Sequence, residues 1–375
     1  MALGGPASEV LIQIAEASDD AVNRRTLTFL RERGFAVPRA GQDESRIASD
    51  WELTDEGRRA ARDLAEHGSA YLPGEFAAER AKFEDTLEAL RDSQAAVAAP
   101  AGDPPSELSV VTWNLRFSSD ADSTLAFLDA TEWDLACLQE VGVIASNRLA
   151  EREGWSVVNG LQLAWNDGVS GWRTPHGAAI VARNGWQLEA GAVVSDTPTP
   201  GRGVTALARR GGESVRVMSW HAPNRAGEGL ETKMAGYRAM IDAVRQVEGP
   251  LIVGMDANHG SLGTSLDPGD PQPDHEHALE IEFFSNRPGH GLSDAFLSHL
   301  RSNPDAYNEI LRTRPDGPLA VTYTHGGTAD RYDYIMVSGE FAVVDVTHDY
   351  EGALGAGSDH GLVRVQLTSD TARRT

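Results

Sequence analysis

The chain has 375 residues, 41% of them apolar and 24% charged, a composition that supports a large folded domain with room for a smaller one beside it. Its formal net charge of -23 argues against the broad basic face of a protein that coats nucleic acid, although local arginines and bound divalent cations can still neutralise phosphates. The single cysteine, Cys137, rules out an internal disulfide, and no apolar run approaches the ~18 residues of a membrane-spanning helix.

The first twenty residues carry four acidic side chains and no basic segment, unlike a secretory leader, so a reducing, cytoplasmic setting is expected. Apolar spacing predicts helices over Ser8–Ala17 and Ala21–Arg33, the second capped by Asp19-Asp20 and closed by Gly34. Phe35–Pro38 and Trp51–Thr54 read as short strands, and Thr54-Asp55-Glu56 caps a further helix to about Glu66. This order resembles a winged-helix unit, a resemblance carried by Leu53-Thr54-Asp55-Glu56-Gly57-Arg58-Arg59, and implies DNA or a protein as the partner of that segment. Phe76–Ala98 reads as one more helix, which Ala99–Pro105 cannot continue. The expected organisation is therefore a mainly helical N-terminal domain over 1–98, a linker over 99–105, a second domain over 106–368 and a tail over 369–375.

Beyond the linker the texture changes to short strands separated by loops. Strands are predicted at Leu108–Trp113, Asp134–Leu138, Gly177–Arg183, Val204–Arg209, Val215–Trp220, Leu251–Met255, Tyr332–Val337, Val343–Thr347 and Leu362–Leu367. Helices are predicted near Ser123–Ala130, Glu231–Val247, His277–Phe284 and Ser293–Arg301. So many strands with so few helices suit two packed sheets with helices outside better than one doubly wound parallel sheet.

Several strands end on polar residues. Trp113 runs into Asn114, Leu138 into Gln139-Glu140, Trp220 into His221-Ala222-Pro223-Asn224, and Met255 into Asp256-Ala257-Asn258. Arg331-Tyr332-Asp333 opens the run Tyr334–Val337, and the Gly-rich turn at 355–357 presents Ser358-Asp359-His360. Each is by itself an ordinary turn or cap. Together they bring carboxylates, amides and two histidines to the strand ends with no cysteine ligand, an inventory that suits Mg²⁺, or Mn²⁺, and phosphoester hydrolysis.

In sequence order, these six motifs resemble the endonuclease/exonuclease/phosphatase superfamily over about 106–368. The resemblance implies a four-layer α/β/β/α sandwich of two facing mixed sheets and Mg²⁺-dependent phosphoester cleavage. It implies Glu140 as principal metal ligand, with Asn114 and Asp359 completing the metal and phosphate surroundings. Asp256 takes the place of the residue that orients or deprotonates water, and Asn258 that of the amide on the phosphate. His360 matches the histidine on the scissile phosphate, Asp333 the carboxylate that sets its tautomer, and His221 the histidine near the leaving oxygen. Two departures stand out: Met255 occupies the usual glycine position before Asp256, with Gly254 one residue earlier, and the spacing of His221 from Ala222-Pro223 differs from that of deoxyribonuclease.

Substrate contacts are expected from Asn114, Asn224, Arg202 and Arg331, with Arg116, Arg173, Arg225 and Arg287 in loops that could border the site. The N-terminal segment favours a nuclease acting on DNA. The acidic chain keeps open a phosphatase or a lipid or inositol phosphodiesterase, and a sandwich that binds DNA or protein without catalysis is the third reading.

Overall fold

The computed structural model describes residues 27, 30–31, 36–39, 47–55, 57–58, 103–116, 121–166, 176–260, 266, 278–285 and 288–370. The chain divides into two compact units, Met1–Asp85 with Arg173–Pro175, and Thr86–Trp172 with His176–Thr375.

In the first unit β1 (Ala36–Pro38) pairs antiparallel with β2 (Trp51–Leu53), Ala36 opposite Leu53. Trp51, Leu27 and Leu30 are buried. Thr54 Oγ1 accepts from the Gly57 N–H at 3.0 Å, the cap expected there. The helices expected over 8–17 and 76–98 lie outside the described residues, as do most of those over 21–33 and 54–66. Of the expected linker only Asp103–Pro105 is described, and there Ser214 N donates to Asp103 O at 2.8 Å.

In the second unit β3 (Glu107–Asn114) leads through α1 (Ala121–Ala130) into β4 (Leu135–Gly142), followed by α2 (Val143–Ala150), β5 (Ser156–Asn159), α3 (Gly160–Asn166) and β6 (His176–Ala182). Then come β7 (Gln187–Val193), β8 (Gly203–Arg210), β9 (Glu213–His221), α4 (Arg225–Glu228), α5 (Leu230–Arg245) and β10 (Leu251–Asp256). The chain continues with α6 (Ala278–Phe284), β11 (Ser293–Asp294), α7 (Ala295–Ser302), α8 (Pro304–Thr313) and the hairpin of β12 (Tyr323–His325) and β13 (Thr328–Asp330). It closes with β14 (Asp333–Val337), β15 (Phe341–Asp349), α9 (Tyr350–Gly355) and β16 (Leu362–Ser369). Every strand and helix expected in this unit is present.

The six-stranded sheets run β15-β16-β3-β4-β6-β5 and β11-β14-β10-β9-β8-β7. Both are mixed, since β3 with β4 and β9 with β10 are parallel while β16 with β3 and β10 with β14 are antiparallel. Between the sheets lies a core that includes Val110, Cys137, Ile180, Val217, Ile252, Ile335 and Val365. On the outer face of the first sheet Val111, Ala136 and Val181 pack against Leu125 and Leu128 of α1 and Leu149 of α2. On the outer face of the second, Met218, Trp220 and Val253 pack against Tyr237 and Met240 of α5 and Phe283 of α6. This is the expected four-layer sandwich.

Strand periodicity then positions the site. Side chains alternate between faces, so residues two apart share one. Val110 and Thr112 place Asn114 toward the facing sheet; Val215, Val217 and Ser219 do the same for His221, and Ile252 and Gly254 for Asp256. Read backward, Val337 and Ile335 assign Asp333 to that face, and Ala182, Ile180 and Ala178 assign His176. All of these polar ends meet at one rim of the space between the sheets.

Below them, Gln139 Nε2 donates to Thr112 Oγ1 and to Ser219 Oγ, both at 3.1 Å, and Ser219 Oγ donates to Leu138 O at 2.9 Å. This buried polar layer links the two sheets directly under the rim, so Gln139 serves as a strut. Gly254 belongs to the same level: a Cβ there would lie 2.4 Å from Cys137 Cβ, so the sheets approach too closely for any side chain.

Candidate active site

Asp256, 1% exposed, is the hub. It pairs in register with His221 of β9 on one side and Asp333 of β14 on the other. Its Oδ2 accepts from Asn114 Nδ2 of the opposite sheet at 2.8 Å and lies 3.6 Å from His221 Nε2 and 3.8 Å from His360 Nε2. Its Oδ1 accepts the Asn258 N–H at 2.8 Å, which orients the carboxylate.

Glu140 stands opposite. It sits where the β4–β6 register shifts between Leu138 and Val141, in a left-handed backbone with φ 51°. Arg116 (φ 50°) and Asn258 (φ 48°) share that conformation, which costs a residue such as arginine or glutamate about 1–2 kcal/mol. Asn114 Nδ2 also donates to Glu140 Oε1 at 3.2 Å, and the Arg116 N–H donates to Asn114 Oδ1 at 2.9 Å, so the backbone fixes which way the amide faces. Burial raises the Glu140 carboxyl to about 7, and the Asn114 hydrogen bond and His360 only partly offset it. A divalent cation would restore its charge. Asp359, partly exposed, approaches Arg116 Nε at 3.5 Å and adds to the negative field on Glu140. Glu140 and Asp359 offer hard oxygen donors of the kind Mg²⁺ or Mn²⁺ requires, while Asn114 turns its amide nitrogen to Glu140 and Asp256 and holds the first of these ligands in place.

His360 is held from several sides. Its Nδ1 bonds Asp333 Oδ2 at 2.9 Å, its N–H donates to Ser358 Oγ at 3.0 Å, and its carbonyl accepts Trp113 Nε1 at 2.9 Å. Ser358 Oγ in turn donates to Asn114 O at 2.6 Å, so Ser358 staples this turn to β3. Burial alone would depress His360, but Asp333 and Asp256 outweigh it and raise the imidazole to about 10. The two carboxylates therefore favour the imidazolium form of His360. His221 is the opposite case: burial, with Arg202 adding to it, lowers its pKa well below the usual histidine range.

A family model for the Endonuclease/Exonuclease/phosphatase family matches residues 111–360. The chain belongs to this family. Among solved structures of similar fold are TDP2 of D. rerio, complexed with single strand DNA product (15% identity, 70% of this chain and 100% of that one, TM-score 0.49), and the Xenopus laevis APE2 catalytic domain (18%, 70% and 92%, TM-score 0.49). The human Nocturnin catalytic domain with bound sulfate anion is similar over 71% of this chain and 96% of its own, at 18% identity and a TM-score of 0.47. No curated protein sequence matches the chain. Members of the Endonuclease/Exonuclease/phosphatase family are typically metal-dependent phosphoester hydrolases, and among the described residues two groups of side chains have the spacing to hold an ion: Glu140, His176 and His221, and Asp256, Asp333 and His360. Among the described residues no helix is long and apolar enough to cross a membrane.

The structure thus gathers Asn114, Glu140, His221, Asp256, Asn258, Asp333, Asp359 and His360 at one rim. Three sequence-based expectations for substrate contact place differently. Arg331 is 2% exposed, ion-paired with Asp294, with its guanidinium 4.2 Å from the Tyr334 ring centroid, and is turned into the core beside β14. Arg202, 6% exposed, pairs with Glu228 at 2.9 Å, and Asn224 caps α4 through the Ala226 N–H. Arg116 and Arg225 are exposed, while Arg173 and Arg287 lie outside the described residues.

Sequence reasoning passed over several residues of the site. His176, at the start of β6, brings its ring to 5.6 Å from that of His221. Tyr323 lies 4.6 Å from the His360 ring and stacks on Tyr332 at 4.9 Å. Behind Asn258, Lys233 and His259 converge on the buried Glu280 carboxylate, with His259 Nδ1 3.2 Å from it. The parity of β6 marks His176; nothing local marks the others.

Proposed function

We propose that the protein is a divalent-metal-dependent phosphodiester hydrolase with Mg²⁺ as its ion and DNA as its substrate. The observation that carries this reading is the meeting at Asp256 Oδ2 of Asn114 from one sheet with His221 and His360 from either side, facing Glu140. Glu140 and Asp359 would hold a divalent ion, with Asn114 steadying Glu140 through its amide N–H, and that ion would supply positive charge to a phosphoryl oxygen. Asp256, oriented by the Asn258 N–H, orients the attacking water and takes its proton. His360, kept cationic by Asp333, holds the phosphate and the charge that grows on it, and the Asn258 amide adds a neutral donor. His221, neutral and on the β9 side of Asp256, stands beside the leaving oxygen. The aromatic faces of Tyr323 and Tyr332 next to His360 suit an unstacked base, the exposed Arg116 suits a neighbouring phosphate, and the winged-helix-like N-terminal segment suits DNA.

The test is incubation of the purified full chain and Mg²⁺ with plasmid, single-stranded DNA, RNA and bis-p-nitrophenyl phosphate. DNA cleavage is expected, reduced about 100-fold or more in Glu140→Gln and in Asp256→Asn, both of which keep side-chain shape. Cleavage of phosphomonoesters alone would replace this reading with a phosphatase. Turnover of Glu140→Gln near wild type at limiting Mg²⁺ would overturn the metal assignment.

A further inference from the structure

Glu140 faces two different sets of donors. On one side are the Asn114 amide, whose nitrogen donates to Glu140 Oε1, and the Asp359 carboxylate; on the other are the imidazoles of His176 and His221, with one ligand atom from each of Glu140, His176 and His221 lying within 4.8 Å of the others. The three come from β4 and β6 of one sheet and β9 of the other, so the sandwich itself brings them together. An ion with bonds of about 2.1 Å spaces its ligands by roughly 3–4.2 Å, within a small side-chain rotation of this triad. Both histidines are buried, at 3% and 4% exposure, while Glu140 keeps the centre open to entry.

Two features separate this triad from simple packing of aromatic rings. His221 Nδ1 has no hydrogen-bond partner, although the residue is almost fully buried. His221 Nε2 is 3.7 Å from Glu140 Oε1 and 3.6 Å from Asp256 Oδ2, both too long for a hydrogen bond. Arg202 is the cation that faces this side, and its charge is taken up by Glu228 at 2.9 Å.

Two imidazoles and one carboxylate form a donor set for a borderline divalent ion, unlike the oxygen set preferred by Mg²⁺. We propose that Glu140, His176 and His221 form a binding site for an ion of the Zn²⁺ or Co²⁺ class. The site deepens the hydrolase reading, because it rests on the same Glu140. An ion held there takes the carboxylate that Mg²⁺ needs and removes His221 from the leaving oxygen, so the two ions are competitors.

The test is Co²⁺ titration of the full chain in Mg²⁺-free buffer without substrate, followed by visible ligand-field absorption. One equivalent is expected to bind with the spectrum of nitrogen ligation, and Mg²⁺ in excess should displace it. His176→Ala should weaken Co²⁺ at least about tenfold. X-ray absorption of the Zn²⁺-loaded wild type, which needs no variant, should show imidazole scattering. Unchanged Co²⁺ affinity in a folded His176→Ala protein, or a shell of oxygen alone, overturns the proposal. Because no substrate is present, those results leave the hydrolase reading standing, whereas a lack of Mg²⁺-dependent cleavage would sink that reading and not this one.

Discussion

Lys233 Nζ, buried on α5, donates to the main-chain carbonyl of Asn258 at 2.8 Å while it pairs with Glu280. One ammonium thus supports the left-handed Asn258 from behind and neutralises a carboxylate with 0% exposure. His259 and Lys233 together outweigh burial and bring the Glu280 carboxyl down to about 2.

Replacing Lys233 with methionine should therefore destabilise the protein by about 3–5 kcal/mol, since it strands a buried charge. Urea denaturation measures the loss. The double variant Lys233→Met with Glu280→Leu should recover most of it. Equal stability of the single variant and wild type would show that the pair contributes nothing.

The His360–Asp333 pair gives the stability a pH dependence of known sign. His360 is raised from 6.5 to about 10 because the charges of Asp333 and Asp256 overcome the burial that would lower it. Between those values the folded protein holds a proton that the unfolded chain has lost. This contribution is complete below pH 6.5 and disappears as pH rises through about 10. Asp333→Asn removes the main partner, so denaturation of the metal-free variant between pH 6.5 and 10 should show a flatter profile than wild type. Parallel profiles would rule the pair out as the cause.

At Gly254 even one methyl group meets Cys137 Cβ at 2.4 Å, with the Thr112 Cβ at 3.1 Å. Gly254→Ala should cost about 1–3 kcal/mol by forcing the sheets apart. Because the Gln139 layer spans that gap, activity should fall together with the midpoint of thermal unfolding. A variant with unchanged unfolding would mean that the sheets can yield here.

Removal of residues 1–100 should leave a competent catalytic unit. Every candidate side chain lies later in the chain, and Asp103, tied to Ser214, is retained. Cleavage of bis-p-nitrophenyl phosphate should survive, whereas affinity for long DNA should fall by about tenfold or more if the N-terminal segment binds it. Loss of small-substrate turnover in a folded truncate would mean that the segment completes the site.

The strand-ending motifs are legible because a polar residue that continues an apolar period of two must face the same side as the core. That logic finds Asn114, His221 and Asp256. It misses His176 because there the polar residue opens the strand, and Gly177 offers a more natural beginning. β5 and β7 escape because a four-residue strand and a half-exposed edge strand lack a run of buried residues. Arg331 misleads for another reason. Its nearness to Asp333 suggests a shared role, but it precedes β14, where alternation no longer governs direction, and Asp294 captures it. Tyr323 and Glu280 reach the site through tertiary contacts that no local pattern announces.

The shared facing of the rim residues also constrains how this protein can diverge. A substitution at Val217 or Ile252 changes one contact, but insertion of a single residue into β9 between Val217 and His221 rotates the strand end by one face. Trp220 would then point into the rim and His221 outward beneath α5. Insertions and deletions inside these strands are therefore tolerable only in pairs, while loops such as the one between α5 and β10 can change length freely. Lineages of this domain should accordingly accumulate length variation in the connections and hold the distance from core to rim constant, residue for residue.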